Sequence, residues 1–338
     1  MGAGPALAAI VVTHDSGADL PATLAALRPQ LRADDELVIV DCGSAVRPEV
    51  PGARVLLEDN LGFAGGAAAG VRASSAELVF FLNPDAVVAP GALDALRAAA
   101  ETHAGWGAWQ ALVTLPGAER VNTSGGETHW LGMGWSGRFE SAVADVPPGP
   151  REVMFASGAA LVLRRGAWEA TGGFEPRYFM YGEDLDLSLR LWLSGWRVGV
   201  VPGAVVEHGY EFTKGDYKWF HLERNRWWTL LAGYPAPLLW LVAPGLLAFE
   251  LAVLPMAAAG GWLGAKLRAD VAVLRTLPWA LRRRRAVQAS ARISPRRFAE
   301  AALSGSLDSP FLGPVARIAP LAAAQRAYWR LVLRLLPG

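Results

Sequence analysis

Short runs of apolar, β-branched residues alternate with segments of helical spacing over the first hundred residues. Such runs predict strands buried on both faces, and leucines three or four residues apart predict helices. Strands that alternate with helices indicate a parallel sheet with helices on both faces, an α/β fold. The predicted strands are Leu7–Val12, Glu36–Val40, Arg54–Leu57 and Leu78–Leu82, and the predicted helices are 20–31, 63–73 and 90–103.

The middle of the chain has a less regular pattern. Residues 104–152 are rich in Gly, Trp and Pro and lack a clear period, so they are interpreted as loops and irregular strands. Regular structure is predicted again from residue 153 onward. The predictions there are an apolar segment over 153–163, a short helix over 165–171, a helix over Leu185–Leu193 and a strand over Trp196–Val201.

Polar residues stand at the ends of three predicted strands: Thr13, Asp41 and Asp85. Ligands of open α/β sheets bind beyond the carboxyl ends of the strands. Asp85 is therefore a candidate ligand for Mg²⁺ or Mn²⁺, which prefer carboxylate oxygens. Asp41 is a candidate acceptor for the imide N–H of a pyrimidine base, and Thr13 a second contact to the base. The alternative for all three is a role in capping a turn.

A glycine-rich segment follows the third strand. It runs from Asn60 to Gly66 and resembles a phosphate-binding loop, with Asn60 and Gly65 as candidate contacts. Its glycines do not match the dinucleotide-binding fingerprint, which argues against a Rossmann oxidoreductase. An equally strong interpretation for Gly66 and Gly70 is that they let a helix pack closely on the sheet.

Three carboxylates occur within four positions at Glu183, Asp184 and Asp186. Acidic residues at a helix start are favoured by the helix dipole, but three exceed what a cap needs. Burial there would raise a carboxylate pKa toward that of a base, and Glu183 and Asp184 are the candidates. Asp186 is spaced to pair with Arg190 and is interpreted as structural. His208 is a candidate metal ligand, against the more usual role of a hydrogen-bonded structural histidine.

The C-terminal third differs from the rest in hydropathy and charge. Residues 238–263 form an apolar stretch whose one charge is Glu250, interrupted by prolines and a Gly-Gly pair. Residues 1–263 hold 18 basic and 28 acidic residues, whereas 264–338 hold 14 and 3. A span and an interfacial hairpin are both open, and a buried helix pair is a further alternative. The basic cluster Arg282–Arg285 favours association with an anionic membrane surface without crossing it.

The cysteine content and the N-terminus bear on location. The single cysteine, Cys42, excludes an internal disulfide and fits a reducing compartment. The first apolar run is too short for a signal peptide and has no basic residues before it. We therefore expect the catalytic part at the cytoplasmic face of the membrane.

Taken in order, these motifs resemble those of family 2 glycosyltransferases with the GT-A fold, in particular the bacterial rhamnosyltransferase-like branch. The resemblance covers about residues 7–210. Cys42 and Ala67-Ala68 depart from the pattern, since relatives often carry Asn there. The matching stretches are Val11–Ser16, Val38–Ser44, Asn60–Gly66, Phe81–Asp85 and Gly172–Asp186.

The resemblance implies a role for each candidate residue. Asp85 matches the last position of the DxD-type metal motif, in which Asn83 replaces the first aspartate. Asp41 matches the base-reading aspartate, Asp184 the catalytic base and His208 a late metal ligand. It also implies a GT-A domain over 1–230. The apolar and basic composition of the rest predicts a helical, membrane-associating region over 231–338.

The expected function is that of an inverting glycosyltransferase dependent on Mg²⁺ or Mn²⁺. The branch implies rhamnose from dTDP-rhamnose as donor, and the apolar tail suggests a lipid-linked or cell-surface glycan acceptor. No nucleic-acid partner is expected. The rivals are a nucleotidyltransferase, which would share the nucleotide site and the metal, and a non-catalytic membrane or nucleic-acid adaptor.

Overall fold

The computed structural model describes residues 4–209, 215–307, 309 and 319–338, which form two compact units. The first contains the described parts of 1–126, 136–191 and 196–210, and the second those of 127–135, 192–195 and 211–338. The strands are β1 Leu7–Thr13, β2 Glu36–Cys42, β3 Arg54–Glu58, β4 Leu78–Leu82, β5 Ala86–Val88, β6 Trp106–Thr114, β7 Val121–Thr123, β8 Gly126–Thr128, β9 Gly134–Ser136, β10 Arg151–Glu152, β11 Ala160–Arg164 and β12 Arg197–His208. The helices are α1 Leu20–Leu27, α2 Gly62–Arg72, α3 Ala92–Thr102, α4 Arg165–Thr171, α5 Glu183–Leu193, α6 Gly215–Gly233, α7 Ala236–Ala259, α8 Leu263–Ala289, α9 Pro295–Ala302 and α10 Ala319–Leu335.

The first unit is built on a ten-stranded sheet with the order β10-β12-β6-β11-β4-β1-β2-β3, to which β5 adds beside β12 and β7 beside β6. Strand β1 is parallel to β2 and β4, β2 is parallel to β3, and β6 is parallel to β12. Strand β11 is inserted antiparallel between β4 and β6. The prediction of a mostly parallel sheet is confirmed.

Helices cover both faces of the sheet, as predicted. Alternate residues of β1, such as Leu7 and Val11, join one core cluster with the apolar side chains of α1 and α3. The opposite face of β1 meets α2 through two glycines. A Cβ at Gly66 would lie 2.6 Å from Val12 Cγ1, and one at Gly70 would lie 2.5 Å from Ile10 Cγ2. Close helix packing is therefore the confirmed interpretation of these two glycines.

Strand β6 is where the structure departs furthest from the sequence pattern. All nine of its residues are buried, and it pairs with β11 and β12 inside the sheet. The sequence interpretation assigned this segment to loops and irregular strands. Its Gly107, Trp109 and Gln110 break the continuous β-branched run by which a buried strand is usually identified.

The second unit is helical. The apolar stretch forms α7, which continues through Pro244 and Pro255 and stops at Gly260-Gly261. Gly261 has a φ of +77°, a left-handed conformation that favours glycine, and α8 begins two residues later. Within the described residues, α7 is the one helix long and apolar enough to cross a membrane.

Candidate active site

The register of the parallel strands brings Thr13 and Asp41 side by side, because the two residues are direct partners across β1 and β2. On the other side of β1, Val11 pairs with Leu82, so that Asn83 and the residues after it leave β4 at the same edge. Thr13 and Asp41 are buried. The carboxyl ends of three neighbouring strands thus carry three of the predicted nucleotide-binding residues, Thr13, Asp41 and Asn83.

Asp41 also takes part in the turn after β2. Its Oδ1 accepts a hydrogen bond from the Ser44 hydroxyl, and Ser44 Oγ accepts one from Asp15 N at 2.8 Å. His14 Nδ1 lies 2.8 Å from the carbonyl oxygen of Cys42. The loops after β1 and β2 therefore hold one another, and the turn-capping role considered for Asp41 is present.

Asp85 and His208 come together although they are far apart in sequence. Strand β12 pairs antiparallel with β5 so that His208 is opposite Ala86, and His208 Nε2 lies 3.1 Å from Asp85 Oδ1. Asn83 Nδ2 lies 3.2 Å from the same ring nitrogen. The backbone next to Asp85 is held by α1: Thr23 Oγ1 donates a hydrogen bond to the carbonyl oxygen of Pro84 at 2.7 Å.

These two side chains fit a divalent cation. A carboxylate oxygen and an imidazole nitrogen, both ligands of such metals, converge on one point at the sheet edge. Among the described residues, no third His, Cys or acidic side chain joins them. The buried Nδ1 of His208 has no hydrogen-bond partner in the described part of the chain. That nitrogen can carry the imidazole proton while Nε2 binds a metal.

The glycine-rich segment contacts Phe179, in the turn before the acidic segment. Asn60 is exposed, and its Oδ1 accepts a hydrogen bond from Gly62 N at 3.1 Å. Gly62 has a φ of +64°, and a Cβ there would overlap the carbonyl oxygen and ring of Phe179. Ala64 N donates to that same oxygen at 3.0 Å. Gly65 is buried inside α2, where a Cβ would lie 2.7 Å from Leu61 Cβ.

The acidic segment starts α5, which includes Glu183 and Asp184. Asp184 Oδ2 accepts a hydrogen bond from Gly158 N at 3.1 Å. Burial raises the pKa of Asp184 above its ordinary value, although the backbone N–H donors of Gly158 and Leu185 oppose the shift. Burial raises the pKa of Glu183 further, with the charges of Asp184 and Asp186 adding to the effect. In the described chain, Oε2 of Glu183 is buried without a hydrogen-bond partner.

Asp186 is structural, as predicted. Its Oδ2 accepts a hydrogen bond from Arg190 Nε at 2.9 Å, and its Oδ1 accepts one from the Tyr178 hydroxyl at 2.9 Å. Arg190 also donates to the carbonyl oxygens of Thr171 and Gly173, each at 2.7 Å. This buried cluster fixes the approach to α5. Between Tyr178 and α5, two residues have a positive φ, 65° at Phe179 and 68° at Tyr181. Such backbone strain is of the kind found at functional sites.

A short loop before β11 connects Asn83, beside the Asp85–His208 pair, with Asp184. Asn83 N donates to the carbonyl oxygen of Ala159 at 3.0 Å, while the adjacent Gly158 N binds Asp184. The loop is positioned by Gln110, whose Oε1 accepts from Ser157 N at 2.8 Å. Sequence reasoning missed Gln110 and this loop. The available signal was one polar side chain within the apolar run of β6, buried with 0% exposure.

Comparison with known proteins gives consistent results. A profile of glycosyl transferase family group 2 matches residues 78–281. The chain is 31% identical over 245 residues to an N-acetylglucosaminyl-diphospho-decaprenol L-rhamnosyltransferase of Mycobacterium tuberculosis, covering 64% of this chain and 80% of that protein. It is 35% identical over 75 residues to the rhamnosyltransferase WbbL of Escherichia coli K12, covering 22% of this chain and 27% of WbbL.

Two solved structures share the fold. GalNAc-T7, solved with UDP, GalNAc and Mn²⁺, aligns with a TM-score of 0.56 at 14% identity, over 69% of this chain and 48% of that one. TarS of S. aureus aligns with a TM-score of 0.52 at 14% identity, over 97% of this chain and 55% of that one. The strand-end site, the GT-A fold and the sequence matches agree: the chain belongs to glycosyltransferase family 2 and to its rhamnosyltransferase-like branch.

Proposed function

We propose that this glycosyltransferase transfers rhamnose from dTDP-rhamnose, with inversion, to a lipid-linked acceptor. The observation that carries the proposal is the link through Gly158 and Ala159, which ties the Asp85–His208 pair to Asp184. The Mycobacterium tuberculosis relative is named for rhamnosyl transfer to a decaprenyl-diphosphate-linked N-acetylglucosamine. A polyprenyl-diphosphate-linked sugar is therefore the acceptor class proposed here.

On the donor side, Asp41 accepts a hydrogen bond from the base, and Thr13 makes a second contact to the base. Asn60, Gly65 and Asn83 complete the nucleotide-sugar site. Asp85 and His208 would hold Mg²⁺ or Mn²⁺. A cation bound there would supply positive charge that neutralises the leaving diphosphate.

On the acceptor side, Asp184 is the general base. It takes the proton from the acceptor hydroxyl as that oxygen bonds to the anomeric carbon, opposite the breaking bond to the diphosphate. The nucleoside diphosphate leaves with the bonding electrons, and the configuration inverts. A raised pKa suits this role because a more basic carboxylate takes the proton more readily. Glu183, buried beside it, orients the base or the acceptor.

The N-terminal and C-terminal regions have different proposed roles. We assign catalysis to residues 1–230 and membrane association at the cytoplasmic face to the helical region 231–338. The strongly basic composition of residues 264–338 supports an anionic membrane surface as the partner.

The test is a transfer assay with Mn²⁺ or Mg²⁺, a panel of nucleotide sugars, and a polyprenyl-diphosphate N-acetylglucosamine acceptor. We expect a rhamnosylated lipid and release of dTDP, with no product when the metal is chelated. Release of inorganic diphosphate from dTTP and a sugar phosphate would instead identify a nucleotidyltransferase. Absence of metal-dependent nucleotide-sugar binding would favour the non-catalytic adaptor.

A further inference from the structure

The one charge in the apolar helix α7 is paired within the second unit. Glu250 Oε1 accepts a hydrogen bond from Arg226 of α6, and its Oε2 lies 2.5 Å from Lys266 Nζ of α8. Glu223 binds the same two cations, at 3.2 Å from Arg226 and 3.1 Å from Lys266. Asp270 accepts a further bond from Lys266 at 2.7 Å. This ion network joins α6, α7 and α8.

The network defines the inner face of α7. Val242, Leu246, Val253 and Ala257 are buried and recur at helical spacing with Glu250. The outer face is also apolar but exposed. It carries Trp240, Leu247, Leu251 and Leu254, which follow one another at seven, four and three residues and are 79%, 63%, 63% and 36% exposed.

Helix α8 repeats this arrangement and adds charge. Leu267, Val271, Leu274 and Leu281 form an exposed apolar stripe on one face. Three arginines at spacings of seven residues, Arg268, Arg275 and Arg282, run beside it and are exposed. Arg284 is an exception within the basic cluster, since its Nη1 donates to the carbonyl oxygens of Leu231 and Tyr234, each at 2.7 Å.

We propose that α7 lies in the plane of an anionic membrane surface, with its outer face among the lipids, and that Glu250 keeps it on the helical unit instead of across the bilayer. The occupant of the exposed face is lipid because α8, which the ion network joins to α7, carries an apolar and a basic stripe side by side, the pattern of interfacial helices. This inference deepens the membrane association proposed above for residues 231–338 and rests on that part of the proposed function alone.

Spanning would require Glu250 to leave Arg226 and Lys266 or to take them into the hydrocarbon. Charged side chains are costly there and are rare in spanning helices. Only 22% of the most apolar window of α7 is buried in the protein, so α7 differs from a core helix of a soluble domain. A position of α7 in the plane of the membrane surface suits both of its faces. The ion network of the inner face stays within the protein, and the apolar outer face is removed from water.

The first test measures depth. Single cysteines replace Trp240, Leu247 or Leu254 in a Cys42→Ser background, and each carries an environment-sensitive fluorophore. Vesicles contain phosphatidylcholine and phosphatidylglycerol with spin-labelled lipids that quench at shallow or deep positions. Residues 240 and 254 are about 20 Å apart along a helix axis. An in-plane helix predicts the same shallow depth for all three labels, whereas a graded depth would show a span and overturn the proposal.

The second test measures binding to the same vesicles by sedimentation. Leu247→Glu/Leu251→Glu should lose at least about tenfold in vesicle affinity, because two charges are placed on the lipid-facing stripe. Val46→Glu/Leu57→Glu is the matched control, since it adds the same two charges at positions that are 84% and 51% exposed in the other unit. Equal binding of the double variant and the control overturns the proposal, as does self-association of the protein without vesicle binding. Neither readout depends on sugar transfer, so the proposed function is tested separately.

Discussion

The proposed donor side of the site, around Thr13, Asp41 and Asp85, and its proposed acceptor side, around Glu183 and Asp184, are built differently. The donor side consists of residues at the ends of parallel strands, where Thr13 and Asp41 are neighbours by register. The acceptor side consists of the start of α5 and of loops that approach it from elsewhere in the chain. Asp184 there depends on a backbone N–H from Gly158, and the turn before it depends on Gly62.

The two sides also treat their carboxylates differently. Asp41 and Asp85 each face a polar partner, the Ser44 hydroxyl and the His208 ring. Glu183 and Asp184 are adjacent to one another, and burial raises the pKa of both. A carboxylate beside an imidazole suits a cation, whereas a desolvated pair suits proton transfer. This difference supports the proposed division between metal binding and base catalysis, and we expect substitutions to affect the two roles separately.

The largest effect is expected from Asp184→Asn. The amide keeps the size of the side chain but cannot accept a proton, so turnover should fall by about a thousandfold. Donor affinity should change little. Transfer assays and calorimetric titration with the nucleotide sugar measure the two quantities. Asp34→Asn, in the exposed loop before β2, is the control, and substantial turnover in Asp184→Asn means that another residue is the base.

The donor side should respond in the opposite way. Asp85→Ala removes the carboxylate beside His208, and we expect the Mn²⁺-dependent donor affinity to fall by about a hundredfold, about 2.7 kcal/mol. Calorimetry with and without chelator measures it, with the exposed Asp145→Ala as control. His208→Ala should weaken the same binding. If chelation still weakens donor binding in both variants as in the wild type, the metal lies elsewhere.

A moderate effect is expected at the contact between Gly62 and Phe179. Gly62→Ala places a methyl group against Phe179 and should displace the turn before Glu183, lowering turnover by about tenfold and stability by about 1–3 kcal/mol. Gly52→Ala is matched, because its φ of +77° carries the same backbone strain with nothing within 4 Å. Steady-state kinetics and thermal unfolding distinguish them. Equal turnover in the two variants would contradict the contact's role.

The smallest effect concerns Glu183. Its raised pKa means that the folded protein binds this proton more tightly than the unfolded chain, so its ionisation lowers stability as pH rises from the ordinary value of 4.5 through the raised one. Glu183→Gln should therefore raise the Tm by about 2 °C at about pH 8 and by nothing near pH 4. Glu119→Gln, at an exposed position, is the control. A pH-independent difference would show that burial does not shift this group.

Much of the proposed donor side could be predicted from the sequence, because buried parallel strands form clear apolar runs. The polar residues that follow the end of each run can therefore be located directly. Asp41 and Asp85 follow such runs directly. The acceptor side was visible only as an acidic cluster. Its position depends on Gln110, within the mixed composition of β6, and on Gly158, in the loop before β11. The antiparallel insertion of β11 between β4 and β6 leaves no periodic signal in the sequence. The pairing of His208 with Asp85 depends on β5, a three-residue strand that no local pattern indicates.

The region that we propose to associate with a membrane was identified from its composition, and the sequence left its geometry open. The apolar length of residues 238–263 alone permits a span, since Glu250 is one charge among many apolar residues. The partners of Glu250, Arg226 and Lys266, lie on other helices and cannot be inferred from helical spacing along α7. This long-range pairing is what the structure adds.

We propose that Asp85 and His208 bind the metal while Asp184 faces the acceptor side of the anomeric carbon. Crystals of the Asp184→Asn variant grown with Mn²⁺ and intact dTDP-rhamnose test these positions most directly, through the anomalous scattering of manganese. We expect one strong peak within about 2.3 Å of Asp85 Oδ1 and His208 Nε2, with residue 184 on the side of the sugar opposite the diphosphate. A peak at other ligands, or residue 184 against the diphosphate, would contradict it.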